Sequence, residues 1–465
     1  MAKFSVEQII QATGGELAAG RRDIAVDGVV TDSRQARPGS LFVAIRGERL
    51  DGHDFVREAF ARGAVAALVS HKLVMINAPG KTLVAVKDTT EALLGLAAFH
   101  RGRIKKLTLV GVTGSNGKTT VKDMIAGALS EKYPTLKTEG NLNNQIGLPM
   151  TLLGLTSAHR AAVVEMGINK PGEMAALAHA ARPDVGVITN IGHAHMAGLK
   201  SLAIVRREKA AMLDHLAEGG TAILNASDPA SAPVIKKMKG RPMITFGLGG
   251  MGDVTVTGAG LNKSWTGRSV FLRHAGRETA IKLRMIGAGA AINAAAAFAA
   301  GLAAGLAPAA IARGLASVRP AKWRMAIDRL PNGAFVIDDS YNANPDSLAS
   351  ALATLREMGA KTKILALGDM LELGSHAEAA HRKAAWLAKA AGVGRLLAFG
   401  PLASVAVREA KKLGISAATF KTRRALANSA LKSLGRGAVL LVKGSRGMEM
   451  DKAAELVRQD AGGGR

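Results

Sequence analysis

The ten residues Gly111-Val112-Thr113-Gly114-Ser115-Asn116-Gly117-Lys118-Thr119-Thr120 constrain the fold more than any other stretch of this 465-residue chain. An apolar run (Leu107, Leu109, Val110) precedes them, and Val121, Met124, Ile125, Ala128 and Leu129 follow at helical spacing. Strand, glycine turn and helix in that order offer backbone N–H groups and the positive end of a helix to an anion. Thr113 to Thr120 then form a phosphate cradle, with Lys118 reaching the outer phosphates and the Thr119 hydroxyl ligating magnesium. The spacing departs from the general G-x-x-x-x-G-K-[ST] pattern, because Val112 stands where the first glycine belongs. A tight turn with incidental glycines would need neither Lys118 nor Thr119. The expected ligand is ATP with Mg2+.

Alternating strand-like runs and helical patterns divide the chain into three zones. Residues 1–85 mix short runs, such as Leu41-Phe42-Val43-Ala44-Ile45, with turn residues. Residues 86–318 carry the runs Leu107–Val110, Ala161–Val164, Val185–Ile191 and Thr221–Leu224. Residues 319–465 repeat the alternation with Ala334–Ile337, Ile364–Leu367, Leu396–Phe399 and Val439–Val442. This predicts an α/β protein with parallel, doubly wound sheets in both later zones. The uncharged stretch from Ile286 to Ala307 is too rich in Ala and Gly for lipid and reads as a buried helix. Zero cysteines exclude disulfides, thiolate zinc sites and cysteine nucleophiles. The first residues lack a signal-peptide profile, so a cytoplasmic protein without membrane insertion is expected. The net charge of +26 is scattered and lacks interleaved aromatics, which argues against nucleic acid. Two readings of the charge stay open: plain solvated surface, or attraction of polyanionic substrates.

Polar residues cluster where the apolar runs end, and ligands of open α/β sheets bind at the carboxyl ends of strands. Glu165 ends one run and suits a magnesium site. His195, in Asn190-Ile191-Gly192-His193-Ala194-His195, ends another and would stand beside the metal. A helix from Leu202 to Leu216 would place Lys209 inside its apolar stripe of Val205, Met212, Leu213 and Leu216. An inward lysine must snorkel, pair or be covalently modified. Asn141-Leu142-Asn143-Asn144-Gln145 and Asp338-Asp339-Ser340-Tyr341-Asn342-Ala343-Asn344-Pro345 are dense in hydrogen-bonding groups, which suits a peptide- or sugar-like substrate beside ATP.

Together these motifs resemble the Mur ligase family of cell-wall amino-acid ligases. The likeness spans essentially the whole chain, from Thr31-Asp32-Ser33-Arg34 through Glu165-Met166-Gly167 and Leu367-Gly368-Asp369-Met370 to Lys443-Gly444-Ser445-Arg446-Gly447. The run D-D-S-Y-N-A-N-P is similar to the branch that joins D-alanyl-D-alanine to UDP-N-acetylmuramoyl-tripeptide through an acyl phosphate. The resemblance implies a small N-terminal domain, a P-loop-type central sheet and a Rossmann-like C-terminal domain, acting as a monomer. It places Ser33, Arg34 and Arg46 near the UDP group, and Asn141, Asn143 and Asn144 near the substrate. Asn293, Arg324 and Asp339 fall near the nucleotide, and Asn342, Asn344 and Lys443 near the dipeptide. Lys209 falls where the family carries a lysine carbamate, completing a metal site with Thr119, Glu165 and His195; Lys118, Lys209 and His195 would serve catalysis. The chain departs from the family at Met196-Ala197-Gly198-Leu199-Lys200, at Ala211, and at Gly287 to Ile292, which leaves the adenine contacts and a second magnesium open. Rival readings are a folate-glutamate ligase, a nucleic-acid-dependent ATPase and a non-catalytic relative.

Overall fold

The computed structural model describes residues 2–47, 49–70, 80–192 and 196–462. The chain divides into two compact units. One comprises Met1–Thr113, Lys132–Val187 and Ala210–Ala222, and the other Gly114–Glu131, Ile188–Lys209 and Ile223–Arg465.

Within the first unit, residues 16–86 form a five-stranded sheet in the order Glu16–Ala19, Thr82–Val86, Ala66–Ser70, Leu41–Val43, Val29–Val30. All neighbours are parallel except the Glu16–Ala19 edge. Phe42, Ala44, Val56, Ala59 and Val69 fill one face. The same unit holds strand Thr108–Thr113 between Ala161–Glu165 and Val185–Ile188, with Thr135–Lys137 outside Ala161–Glu165. Parallel register sets Glu165 opposite Val112, so both strands end at one level. Every residue of Ala161–Glu165 is buried, as expected of a strand covered on both faces.

The second unit contains a six-stranded sheet ordered Ala326–Arg329, Phe335–Asp339, Val439–Lys443, Lys363–Gly368, Arg395–Phe399, Ser416–Phe420. Only its first pair is antiparallel. The last strand in sequence sits between the second and third, which makes a switch point at the carboxyl ends of Phe335–Asp339 and Val439–Lys443. The expected parallel winding also meets a limit earlier in this unit. Strands Val254–Leu261, Arg268–His274 and Arg277–Leu283 form an antiparallel meander.

Helix Lys118–Ser130 packs against Ala290–Ala303 and Pro308–Ser317. The stretch read as a buried helix is one: ten of the fourteen residues in Ala290–Ala303 are buried. Small residues permit the close approach, since a Cβ on Gly314 would stand 2.5 Å from the Gly127 carbonyl oxygen. The helix expected to reach Leu216 ends at Ala210, and Ala211–His215 tightens into a 3₁₀ turn. Among the described residues no helix is long and apolar enough to cross a membrane.

Candidate active site

Strand Thr108–Thr113 closes with the Thr113 hydroxyl donating to the Met166 carbonyl at 2.9 Å. The chain then enters the loop through Gly114, whose φ of +148° and closeness to Thr189 admit no side chain. Ser115 and Asn116 do not point their amides outward. The Ser115 N–H donates to the Asn190 carbonyl at 3.0 Å, and the Asn116 N–H to Asn190 Oδ1 at 2.9 Å. Asn190 Nδ2 and Thr189 Oγ1 donate in return to the Asn116 carbonyl, at 3.0 and 2.6 Å. Ser115 Oγ is likewise held between the carbonyl and the N–H of Gly192. The whole cradle from Thr113 to Thr120 was expected to serve phosphate. In this geometry the start of helix Lys118–Ser130, which has no side-chain cap, is the part that meets that need.

Gly117 precedes that helix at φ +82°, and a Cβ there would stand 2.7 Å from Asn293 Oδ1. Asn293, on helix Ala290–Ala303, is thereby brought against the loop. Lys118 Nζ donates to the Gly114 carbonyl at 2.9 Å, which holds its charge over the loop. Thr119 is buried and Thr120 half-buried in the first turn.

Lys209 is buried to 1% exposure on helix Leu202–Ala210. Burial pushes its ammonium well below the ordinary lysine range, and the like charge of Lys118 pushes the same way. His195 lies outside the described residues.

In the first unit Glu165 is 2% exposed at its strand end. Asn143 Nδ2 donates to Glu165 Oε1 at 2.8 Å, so this amide orients a carboxylate. Asn144 Oδ1 accepts the N–H groups of Ile146 and Gly147, starting helix Gly147–Leu153, while Asn141 is exposed. Among the described residues no cluster of three acidic or histidine side chains forms a metal cage. Magnesium needs none, since it keeps several waters and takes one or two carboxylates. A buried carboxylate such as Glu165 and a hydroxyl such as Thr119 fit that donor chemistry.

Near the N-terminus Ser33 Oγ donates to Glu58 Oε2 at 2.9 Å. Arg34 is exposed and doubly bonded to Asp32, whose carboxyl it holds down at about 2. Arg46 is exposed beside Asp51. Asp51 also accepts from His53 Nδ1 at 2.6 Å, and His53 Nε2 accepts the Ser70 N–H at 2.9 Å.

In the second unit the run after strand Phe335–Asp339 is tightly organised. Asp339 Oδ2 accepts from Lys443 Nζ at 2.5 Å, and Lys443 also donates to the Asn342 carbonyl at 3.0 Å. Burial raises the Asp339 carboxyl, opposed by the adjacent Lys443 ammonium. The Arg324 guanidinium lies 3.9 Å from the centre of the Tyr341 ring. Asn344 caps helix Pro345–Glu357 and donates through Nδ2 to Asn116 Oδ1 at 2.9 Å. The asparagine-rich run and the phosphate loop therefore touch. Sequence reasoning missed Thr189 and Asn190 as loop supports. Their signal was two polar residues directly after the buried run Val185–Ile188.

Comparison with known proteins places the chain in a family. Family models match in three segments: Mur ligase family, catalytic domain, at residues 25–101; Mur ligase middle domain at 112–301; and Mur ligase, glutamate ligase domain, at 323–446. The chain is 36% identical to the UDP-N-acetylmuramoyl-tripeptide–D-alanyl-D-alanine ligase of Escherichia coli (strain K12), over 99% of each chain. A crystal structure of MurF from Acinetobacter baumannii is similar, with a TM-score of 0.91, 31% identity and 99% of each chain covered. The MurF ligase of Thermotoga maritima in complex with ADP gives 0.85 at 26% identity, covering 94% of this chain and 98% of that one. With similarity of this extent laid over a loop, strand ends and sheet order of this kind, the chain belongs to the Mur ligase family.

Proposed function

We propose that this chain joins D-alanyl-D-alanine to the terminal carboxylate of UDP-N-acetylmuramoyl-tripeptide, with cleavage of ATP to ADP and phosphate. The observation that carries the reading is the meeting of the phosphate loop with the Asp338–Pro345 run through Asn116 and Asn344. It brings the group that activates a carboxylate beside a segment rich in peptide-binding amides. The nucleotide-binding side draws support from the relative whose structure holds ADP.

A carboxylate is a poor electrophile. One of its oxygens attacks the γ-phosphorus of ATP, the bond to the bridging oxygen breaks, and ADP leaves an acyl phosphate. Lys118 and the amides opening helix Lys118–Ser130 spread the charge of this in-line transfer. The dipeptide amine then attacks the acyl carbon, loses a proton, and phosphate departs. Exclusion of water protects the acyl phosphate from hydrolysis. Magnesium, when bound, neutralises phosphate charge. In this reading Thr119 and Glu165 would supply oxygen ligands to it, and His195 would serve the same ion, as the family resemblance implies. Lys209 would join them as a carbamate: its amine, once it has given up the ammonium proton that burial disfavours, attacks carbon dioxide and releases a second proton, and the product is an anion.

Residues 1–85 take the UDP-sugar through Ser33, Arg34 and Arg46, and Asn141, Asn143 and Asn144 line the tripeptide path. Residues 86–318 take ATP, with Asn293 beside the loop. Residues 319–465 contribute Arg324 and Asp339 to the nucleotide, and Asn342 and Lys443, from the segment that also carries Asn344, to the dipeptide. The enzyme works as a cytoplasmic monomer. ADP release is measured with UDP-N-acetylmuramoyl-tripeptide, with and without D-alanyl-D-alanine. Release that requires both is expected. Release independent of either, or stimulated by nucleic acid, overturns the assignment.

A further inference from the structure

The side chain of Asn344 is already committed at both ends. Its Oδ1 accepts the Ser347 N–H at 2.9 Å, and Ser347 Oγ accepts the Asn344 N–H at 3.0 Å, closing a reciprocal cap on helix Pro345–Glu357. The cap fixes which way the amide faces, because only oxygen can accept there. Nδ2 is thereby directed to Asn116 Oδ1, across 228 residues of sequence.

Asn116 is no loose partner. Its N–H and carbonyl are both held by Asn190, and the carbonyl by Thr189 as well, so its side chain projects from a fixed backbone. The helix capped by Asn344 is equally constrained further along. Thr354 Oγ1 accepts the Ala288 N–H at 2.7 Å, and Glu357 pairs with buried Arg268 at 2.9 Å. A short amide contact therefore joins two constrained elements: the loop that holds the phosphate being transferred, and the helix that follows the dipeptide segment.

We propose that Asn344 is a positioning residue, not a ligand of the dipeptide: through Asn116 it sets the register between the phosphate loop and the acceptor segment. This rests on the ligase reading. Attack by the amine on the acyl carbon needs the two within a few tenths of an ångström of contact distance, and a fixed hydrogen bond between their supports helps to hold that separation. A residue that binds the dipeptide would instead keep its amide for the peptide groups.

The test is a double-mutant cycle with Asn116→Ala and Asn344→Ser, read as kcat/KM for D-alanyl-D-alanine and as affinity for ADP by calorimetry. Serine preserves the helix cap but is too short to reach Asn116. Each single variant is expected to lower kcat/KM by roughly three- to tenfold, the scale of one neutral hydrogen bond. The double variant should fall no further, since both substitutions delete the same contact. Additive losses overturn the proposal. So does a dipeptide KM that rises in Asn344→Ser and stays at the wild-type value in Asn116→Ala, the pattern of direct contact. If Asn344→Ser does not fold, Asn116→Ala, which leaves the cap intact, still decides: an unchanged kcat/KM overturns the latch. If the wild type releases no ADP with both substrates, the ligase reading fails. ADP affinity then tests the latch alone: equal, non-additive losses support it, and additive losses or none refute it.

Discussion

Lys209 shows how far a single residue can be read. Its place in an apolar stripe was legible from spacing alone, and the structure buries it as that spacing required. Its chemistry was not legible, because helical periodicity does not reveal the burial and the like charge of Lys118 that disfavour its ammonium form. Burial disfavours the ammonium form of this lysine, and the free amine is the form that reacts with carbon dioxide. Lys209→Ala is expected to lose nearly all ligase activity. Added acetate should restore part of it and added bicarbonate none, measured as ADP release; failure of every short carboxylate to restore activity would argue against a carbamate. Asn143 gives the opposite lesson. Its cluster of amides suggested substrate binding, yet here the side chain spends a donor on Glu165. Composition cannot distinguish an amide that meets a ligand from one that orients a neighbour.

At the scale of elements, the strand–loop–helix at residues 108–130 was fully legible, because its glycines, lysine and flanking apolar periodicities agree. Four of the five parallel strands of residues 335–443 were legible too, each within about two residues at its ends, while the edge strand Ser416–Phe420 was not. The meander of residues 254–283 was not, since its short alternating segments look like loop in a chain dominated by buried runs. Gly117 tests the loop as an element. Alanine there must adopt a left-handed backbone and push against Asn293. Gly117→Ala is expected to weaken ADP binding by roughly five- to thirtyfold, from a strain of ~1–2 kcal/mol, with the melting temperature little changed. Calorimetric titration checks it, and wild-type affinity would mean that the loop relaxes freely.

At the scale of the whole molecule, two expectations concern charge. His381 is fully buried, accepts the Met370 N–H at Nε2, and bonds the Ala377 carbonyl through Nδ1. Burial lowers its imidazole from the ordinary value of 6.5. The unfolded chain therefore binds this proton first, and stability is lost as pH falls below about 6.5, down to the depressed native value. Thermal melts from neutral to acidic pH should show that loss, and His381→Gln should reduce it; an unchanged slope would assign the loss to other groups. The +26 net charge is expected to speed capture of the two polyanionic substrates. Rising salt should then lower kcat/KM for both while sparing kcat, and a salt-independent kcat/KM would leave the charge as plain solvated surface.

The crossing of Gly127 and Gly314 beneath the phosphate loop carries one more consequence. A side chain on either residue would strike the other helix's backbone. Random drift can rewrite much of this surface, but it must halt at that pair. Aligned relatives would display two unchanging glycines far from any ligand, and invariance alone would invite a search for a binding role that neither has. Their constancy would record how closely two backbones pass.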